Sequence, residues 1–263
     1  LPELITDPDD PRIAGYRNIR ERDLVGRDGL FVAEGEVVLR HLLQSPLVEP
    51  VSVLIAENRV AGLADSLSAV SSSVPVYAAG QAVIDAIAGF HLHRGILALG
   101  QRSKIPSAKD LLSALPEQAL VVALFGIGNH DNMGGLFRNA AAFGADAILL
   151  ADDCCDPLYR KAIRVSVGAS LIMPFARFGA HEPVGLLQSH GLEVLALSPA
   201  GQRELADVRT SGRVAALFGS EGPGLTEAIL NKCTTVRISM QAGFDSLNVA
   251  TTSGIVLHHL TRG

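Results

Sequence analysis

The sequence contains no apolar run near the roughly 20 residues that span a bilayer, so no helical membrane span is expected. Its first ten residues, Leu-Pro-Glu-Leu-Ile-Thr-Asp-Pro-Asp-Asp, lack a basic segment followed by an apolar one, which argues against a signal peptide. They also lack an initiator Met, so the native start is expected upstream. The three cysteines, of which Cys154 and Cys155 are adjacent, make no disulfide framework. No Cys/His spacing suits zinc, and no metal is expected. A reducing cytoplasm is the expected compartment. Basic excess is absent too. The formal charge is −5 and the pI about 5.9, unlike a non-specific nucleic-acid binder. What is present is ample core material: 263 residues, 48% hydrophobic and 19% charged. Positive charge is concentrated locally. Residues 157–178 carry Arg160, Lys161, Arg164 and Arg177 and no acid. Arg12, Arg17, Arg20, Arg22 and Arg27 lie near the N-terminus among acids.

Residues 30–100 alternate short apolar runs with helical patterns. Strands are expected at 51–55, 74–77 and 95–99, and helices at 34–43, 61–70 and 81–88. The stretch 101–116 reads as linker with a short helix at 108–114. Beyond it, strands are expected at 120–125, 147–151, 192–198, 214–218 and 236–238. Helices should start near Gly134, Leu158, Gly224 and Ser246, with Pro223 suiting a first turn and Ser246 an N-cap. Such alternation predicts an α/β fold with a mostly parallel sheet covered on both faces.

Three polar, glycine-bearing loops follow expected strands. The first runs from Gly126 through Asn132, Gly134 and Arg138. Its start has the context of a dinucleotide-binding turn, with Asp152 and Asp153 near the ribose-binding position. But Asp131 stands where the third glycine belongs and would face a pyrophosphate with the wrong charge. Arg138 sits among Leu136, Phe137, Ala140 and Phe143, as a surface or acid-paired arginine or as a fixed cation near an anionic oxygen. The second loop, Gly219-Ser-Glu-Gly-Pro-Gly224, lets backbone approach a ligand closely. It is also what a tight turn with a capping acid would look like. The third, 244–248, places Ser246 and Asn248 at a helix start; capping explains Ser246 and leaves Asn248 over. None of the loops carries a nucleophile–base pair, so acyl transfer is not expected.

Together the loops resemble the three motifs of the SpoU (TrmH-like) branch of the SPOUT RNA 2′-O-ribose methyltransferases. Asn132-Met-Gly-Gly-Leu-Phe-Arg138-Asn-Ala resembles the first, Leu217-Phe-Gly-Ser-Glu221-Gly-Pro-Gly-Leu the second, and Ile238-Ser-Met through Ser246-Leu-Asn248-Val-Ala the third. Leu30-Phe-Val-Ala-Glu34-Gly35-Glu36 and His93-Arg94-Gly95-Ile-Leu-Ala resemble the family's N-terminal substrate-binding domain, which is similar to ribosomal protein L30e. Two positions depart from the pattern: Ser239, where proline is common, and Asn139, where threonine is common.

The resemblance implies a C-terminal SPOUT domain over 118–263 with a parallel sheet and a deep trefoil knot. A linker at 104–117 would join it to a small L30e-like α/β RNA-binding domain over 1–103 with an N-terminal extension. It implies S-adenosylmethionine (S-adenosyl-L-methionine) bound by Leu197, Ser198, Pro199, Phe218, Gly219, Ser220, Gly222, Gly224, Ile238, Met240, Ser246 and Leu247. It assigns catalysis to Arg138 and Asn132, with Glu221, Ser246 and Asn248 shaping the site. A guanidinium pKa above about 12 makes phosphate clamping or oxyanion stabilisation easier for Arg138 than acting as a base. RNA contacts would come from Glu34, Arg94, Arg160, Lys161 and Arg164, and the chain would work as a homodimer with its site completed across the interface. The expected reaction is 2′-O-ribose methylation of structured RNA, ribosomal rather than transfer. The alternatives are a catalytically idle RNA-binding knotted dimer, opposed by the intact Arg138, Glu221 and Asn248, and a nucleotide-dependent oxidoreductase, opposed by Asp131.

Overall fold

The computed structural model describes residues 2–17, 29–89, 91–103, 105–241 and 245–262. Arg20, Arg22 and Arg27, and Phe244 of the third motif, lie outside the described residues. The chain forms two compact units. One comprises Leu1–Lys104 and Leu158–Ile172, the other Ile105–Pro157 and Met173–Gly263.

The first unit is built on a five-stranded sheet, among the described residues, in the order β1-β4-β3-β5-β2. The strands are β1 (Glu3–Ile5), β2 (Leu30–Glu34), β3 (Val48–Ala56), β4 (Val76–Ala79) and β5 (Ile96–Arg102). The sheet is mixed: β5 runs antiparallel to β2 and β3, while β4 is parallel to β1 and β3. Helix α1 (Glu36–Gln44) buries Val38, Leu39 and Leu42, one apolar stripe at helical spacing. Glu34 ends β2 and does not begin this helix as expected, because Gly35 at φ +97° turns the chain between them. The expected helix at 61–70 shortens to α2 (Ala64–Ser68), preceded by 3-10 turns. Helix α3 (Gln81–Ala88) ends at Gly89 in the left-handed conformation, a usual C-terminal stop. Residues 158–172, which the sequence groups with the C-terminal half, belong here as α6 (Arg160–Val165) and α7 (Ala169–Ile172). They are fastened by hydrogen bonds from Ser45 Oγ to the Leu171 carbonyl and between His41 Nδ1 and the Val167 carbonyl.

Among the described residues, the second unit carries a parallel seven-stranded sheet, ordered β10-β12-β9-β11-β6-β7-β8. Its strands are β6 (Ala119–Leu124), β7 (Ala147–Leu150), β8 (Phe175–Arg177), β9 (Glu193–Leu197), β10 (Arg203–Glu204), β11 (Arg213–Phe218) and β12 (Thr234–Arg237). The short β8 and β10 were not expected from the sequence. One face of the sheet packs on α4 (Ala108–Ser113) and α8 (Pro183–Ser189) through Leu112, Val184 and Leu187. The opposite face carries α5 (His130–Ala142), whose Met133, Leu136, Phe137 and Ala140 are buried, and α10 (Val249–Arg262), which packs on α5.

Three helix starts differ from expectation. Helix α5 begins at His130, not Gly134, because the Asn129 side chain accepts hydrogen bonds from the Asp131 and Asn132 N–H groups. Arg138 therefore stands two turns into the helix. Helix α9 (Glu227–Leu230) begins after Gly224, whose φ of +69° is spent on a turn. Helix α10 is capped by Asn248, not Ser246: Asn248 Oδ1 accepts from the Ala250 N–H at 2.9 Å and the Thr251 N–H at 3.2 Å.

Candidate active site

In a parallel sheet all carboxyl ends lie along one edge, and ligands bind there where the strand order reverses. From β6 the chain adds β7 and β8 on one side, and β11, β9, β12 and β10 lie on the other. The loops after β9, β11 and β12 leave this edge, and each is built to bring backbone close to backbone. After β11 the chain folds back on itself. The Gly224 N–H donates to the Ser220 carbonyl at 3.1 Å, and a Cβ at Gly219 would stand only 2.3 Å from the Gly224 carbonyl carbon. After β9, the Ser198 N–H donates to the Val236 carbonyl at 3.0 Å, and a Cβ at Gly201 would meet Val236 backbone at 2.5 Å. Past β12, Ser239 Oγ donates to Glu204 Oε2 at 2.8 Å, and Arg237 Nε donates to Glu204 Oε1 at 2.6 Å. Arg237 Nη1 also reaches the Gly201 carbonyl at 2.8 Å, so this cluster ties the β9 and β12 loops together. These hydrogen bonds from Ser239 and Arg237 hold the Glu204 carboxyl below the ordinary glutamate range.

The loops enclose a cavity of about 400 Å³. Leu197, Ser198, Pro199, Phe218, Gly219, Ser220, Gly222, Gly224, Ile238, Met240, Ser246 and Leu247 all line it. So do Glu221 and Asn248. Val236, Val249 and Thr252 complete the wall and were not identified from the sequence. The helical spacing of 248, 249 and 252 was the available signal for the last two.

Asn248 is the hub of the polar residues. While its Oδ1 caps α10, its Nδ2 donates to Asn132 Oδ1 at 2.9 Å and to Glu221 Oε1 at 3.0 Å. Asn132 is 7% exposed, so its carboxamide oxygen depends on that donor. One side chain thus joins residues from all three motifs. Arg138 stands apart: it is exposed, does not line the cavity, and makes no hydrogen bond or ion pair among the described residues. The acid-paired reading of this arginine is therefore set aside. Ser246 is exposed at the cavity and leaves the capping to Asn248. At the first loop Asp153 Oδ1 takes the Gly126 N–H at 2.9 Å, which puts a carboxylate where a dinucleotide's phosphate would approach. Burial pushes the Cys155 thiol up to about 11, so it is not a thiolate nucleophile at neutral pH. Among the described residues no group of three His, Cys, Asp or Glu side chains could hold a metal ion.

Glu34, Arg94, Arg160, Lys161 and Arg164 all fall in the first unit. Arg160 Nη2 donates to Glu34 Oε2 at 2.6 Å, with the side chains 17% and 10% exposed, so these two charges are committed largely to each other. Arg94, Lys161 and Arg164 are exposed. Arg177 braces the 151–154 loop through the Ala151 and Cys154 carbonyls at 3.0 and 3.2 Å.

Comparison with known proteins adds the family. Residues 119–258 match the model of the SpoU rRNA Methylase family. The chain is 38% identical to a protein of Mycobacterium bovis named as an uncharacterized tRNA/rRNA methyltransferase, over 98% of this chain and 91% of that one. Its fold is that of the AdoMet-bound rRNA methyltransferase of Sinorhizobium meliloti, with TM-score 0.82, 23% identity, and 98% and 96% of the two chains covered. A structure of an RNA 2′-O ribose methyltransferase aligns with TM-score 0.78 and 24% identity over 97% of each chain. With a family model covering more than half of its length and a relative matched almost end to end, this chain belongs to the SpoU methylase family.

Proposed function

We propose that this protein transfers a methyl group from S-adenosylmethionine to a ribose 2′-hydroxyl of structured RNA, ribosomal rather than transfer RNA. The observation that carries the reading is the convergence of three loops on one cavity, joined by Asn248 to Asn132 and Glu221. At about 400 Å³ the cavity has the size of a small-molecule site. Leu197, Phe218, Ile238, Met240 and Leu247 offer it apolar walls, and glycine backbone approaches it from the β11 loop. These residues would hold the cofactor, whose sulfonium supplies an electrophilic methyl group when bound. The chain's task is then to orient and activate a poor nucleophile. Asn248, held from two sides, fixes the mouth of the cavity. Arg138, permanently charged, stabilises the developing oxyanion or clamps the adjacent phosphate.

The name of the 2′-O ribose methyltransferase neighbour supports a ribose acceptor, and the name of the Sinorhizobium neighbour supports ribosomal RNA and this cofactor. The exposed Arg94, Lys161 and Arg164 support an RNA-binding role for the first unit, as the L30e-like substrate domain. The close passage of Gly201 against Val236 fits a C-terminal segment threaded as a trefoil knot. Ile255, 41% exposed on α10, supports a homodimer. That Arg138 stands outside its own chain's cavity supports a role for it at an acceptor site completed by the partner copy.

The test is twofold. Calorimetry should detect S-adenosylmethionine and not NAD(H), and 2′-O-methyl mapping should find a site in ribosomal RNA that disappears with the gene. Binding of NAD(H) alone, or an unchanged methylation map, would overturn the proposal.

A further inference from the structure

Asn139 follows Arg138 on α5 and is half-buried. Its Nδ2 donates twice to α10, to the Ala250 carbonyl at 2.7 Å and to Ser253 Oγ at 2.9 Å. Ser253 is fully buried, and its own hydroxyl donates to the Ala250 carbonyl at 2.8 Å, closing a three-membered polar cluster. The surrounding residues leave room for it. A Cβ at Gly254 would stand 3.4 Å from Asn139 Nδ2, an ordinary contact distance, so the carboxamide lies directly against α10. One turn earlier on α5, a Cβ at Gly135 would stand 2.7 Å from the Ala250 Cβ, so the two helices cross almost in backbone contact.

Positions 132, 135 and 139 share one face of α5 by helical spacing. Each meets the first turns of α10: Asn132 meets Asn248, Gly135 meets Ala250, and Asn139 meets Ala250 and Ser253. The same turns supply Asn248, Val249 and Thr252 to the cavity wall. Contact between apolar faces tolerates sliding. Two directional hydrogen bonds from one carboxamide do not, because a small shift of α10 along α5 would break both.

We infer that Asn139 is a positioning residue for the cofactor cavity, setting the register of α10 so that Asn248 reaches Asn132 and Glu221 together. It acts through α10 and does not itself line the cavity. This rests on the proposed cofactor reading. A threonine here, the residue the first-motif pattern commonly carries, has one hydroxyl hydrogen on a shorter arm. It can donate to only one of the two acceptors.

The experiment is a double-mutant cycle on the full chain, read by S-adenosylmethionine calorimetry well below the melting temperature and by thermal melts. Asn139→Ala should raise the Kd about tenfold, the scale of one net hydrogen bond, and Asn139→Thr should fall between it and wild type. In an Asn248→Ala background, Asn139→Ala should change the Kd by less than about twofold, because the residue it acts through is already gone. A purely structural role would lower the melting temperature and leave the Kd of the folded protein unchanged, and that result overturns the inference. So does full additivity of the two substitutions. Should Asn139→Ala not fold, Asn139→Thr carries the same cycle. Wild type that binds no S-adenosylmethionine would refute the cofactor reading, and this inference with it. Wild type that binds while the Asn139 variants match it refutes this inference alone.

Discussion

Replacing Asn248 by alanine removes two unlike contributions at once, and their sizes can be worked out separately. The first is the cap on α10, where the Ala250 and Thr251 N–H groups lose their acceptor. Loss of such a cap costs about 1 kcal/mol. The second is the donor to Asn132 Oδ1, whose residue is 7% exposed and has little access to water in compensation. Leaving a buried acceptor unsatisfied costs roughly 1–3 kcal/mol. The third contact, to Glu221, is solvent-exposed and adds little. The sum is about 2–4 kcal/mol, a fall in Tm of roughly 4–16 °C for a domain of this size. Asn248→Asp separates the contributions. Aspartate caps a helix as well as asparagine. It cannot donate to Asn132, however, and sets a second carboxylate beside Glu221. The aspartate variant should therefore retain the α10 cap but bind S-adenosylmethionine more weakly than wild type. Differential scanning calorimetry with and without cofactor reads both quantities. If Asn248→Ala melts within about 1 °C of wild type and binds cofactor normally, the hub assignment is wrong.

Arg138→Ala should leave stability within about 0.5 kcal/mol of wild type, since the side chain is exposed and unpaired among the described residues. Cofactor affinity should hold while single-turnover methyl transfer to RNA falls about 100- to 1,000-fold, and a wild-type rate would remove Arg138 from the mechanism. Gly219→Ala should abolish cofactor binding by calorimetry, because its Cβ would stand 2.3 Å from the Gly224 carbonyl carbon and backbone would have to move. Glu204 provides a pH dependence. Ser239 and Arg237 hold its carboxyl below the ordinary glutamate range, so its contribution to the fold is present at neutral pH and is lost as pH falls through that lowered value. Thermal melts taken from neutral pH into the acid range should lose part of their slope in Glu204→Gln, and identical profiles would argue that the tie between the β9 and β12 loops carries no stability.

The loops at the carboxyl edge were legible because their chemistry is local. Glycines clustered at Gly219, Gly222 and Gly224 directly after an apolar run mark a turn whatever the fold around it. The helix starts were less legible because competing signals sit side by side. The helix expected from Gly134 begins a turn earlier, because Asn129, not singled out in the sequence, accepts from the Asp131 and Asn132 N–H groups. Pro223 suggested a first helical turn, but the positive φ values of Gly222 and Gly224 commit that stretch to a turn. Ser246 was read as the cap and Asn248 was left over, but it is Asn248 Oδ1 that accepts from the Ala250 and Thr251 N–H groups. Asn139 showed in the sequence only as a departure from the first-motif pattern, with nothing to indicate its role. Its partners are 111 and 114 residues away, and no local pattern distinguishes a carboxamide in solvent from one that registers two helices.

The helical pair at 158–172 belongs to the first compact unit although the chain on either side of it belongs to the second. The backbone therefore passes from one unit to the other at three separate points. A protease cut at the single stretch near residue 104 would not yield two complete pieces. A gene fragment encoding only the first 104 residues would specify a sheet without α6, which packs on β2, and without α7, which packs on α1. The complementary fragment would display Ala162, Ile163, Ala169 and Leu171 with nothing to receive them. Such a chain resists domain shuffling by simple recombination.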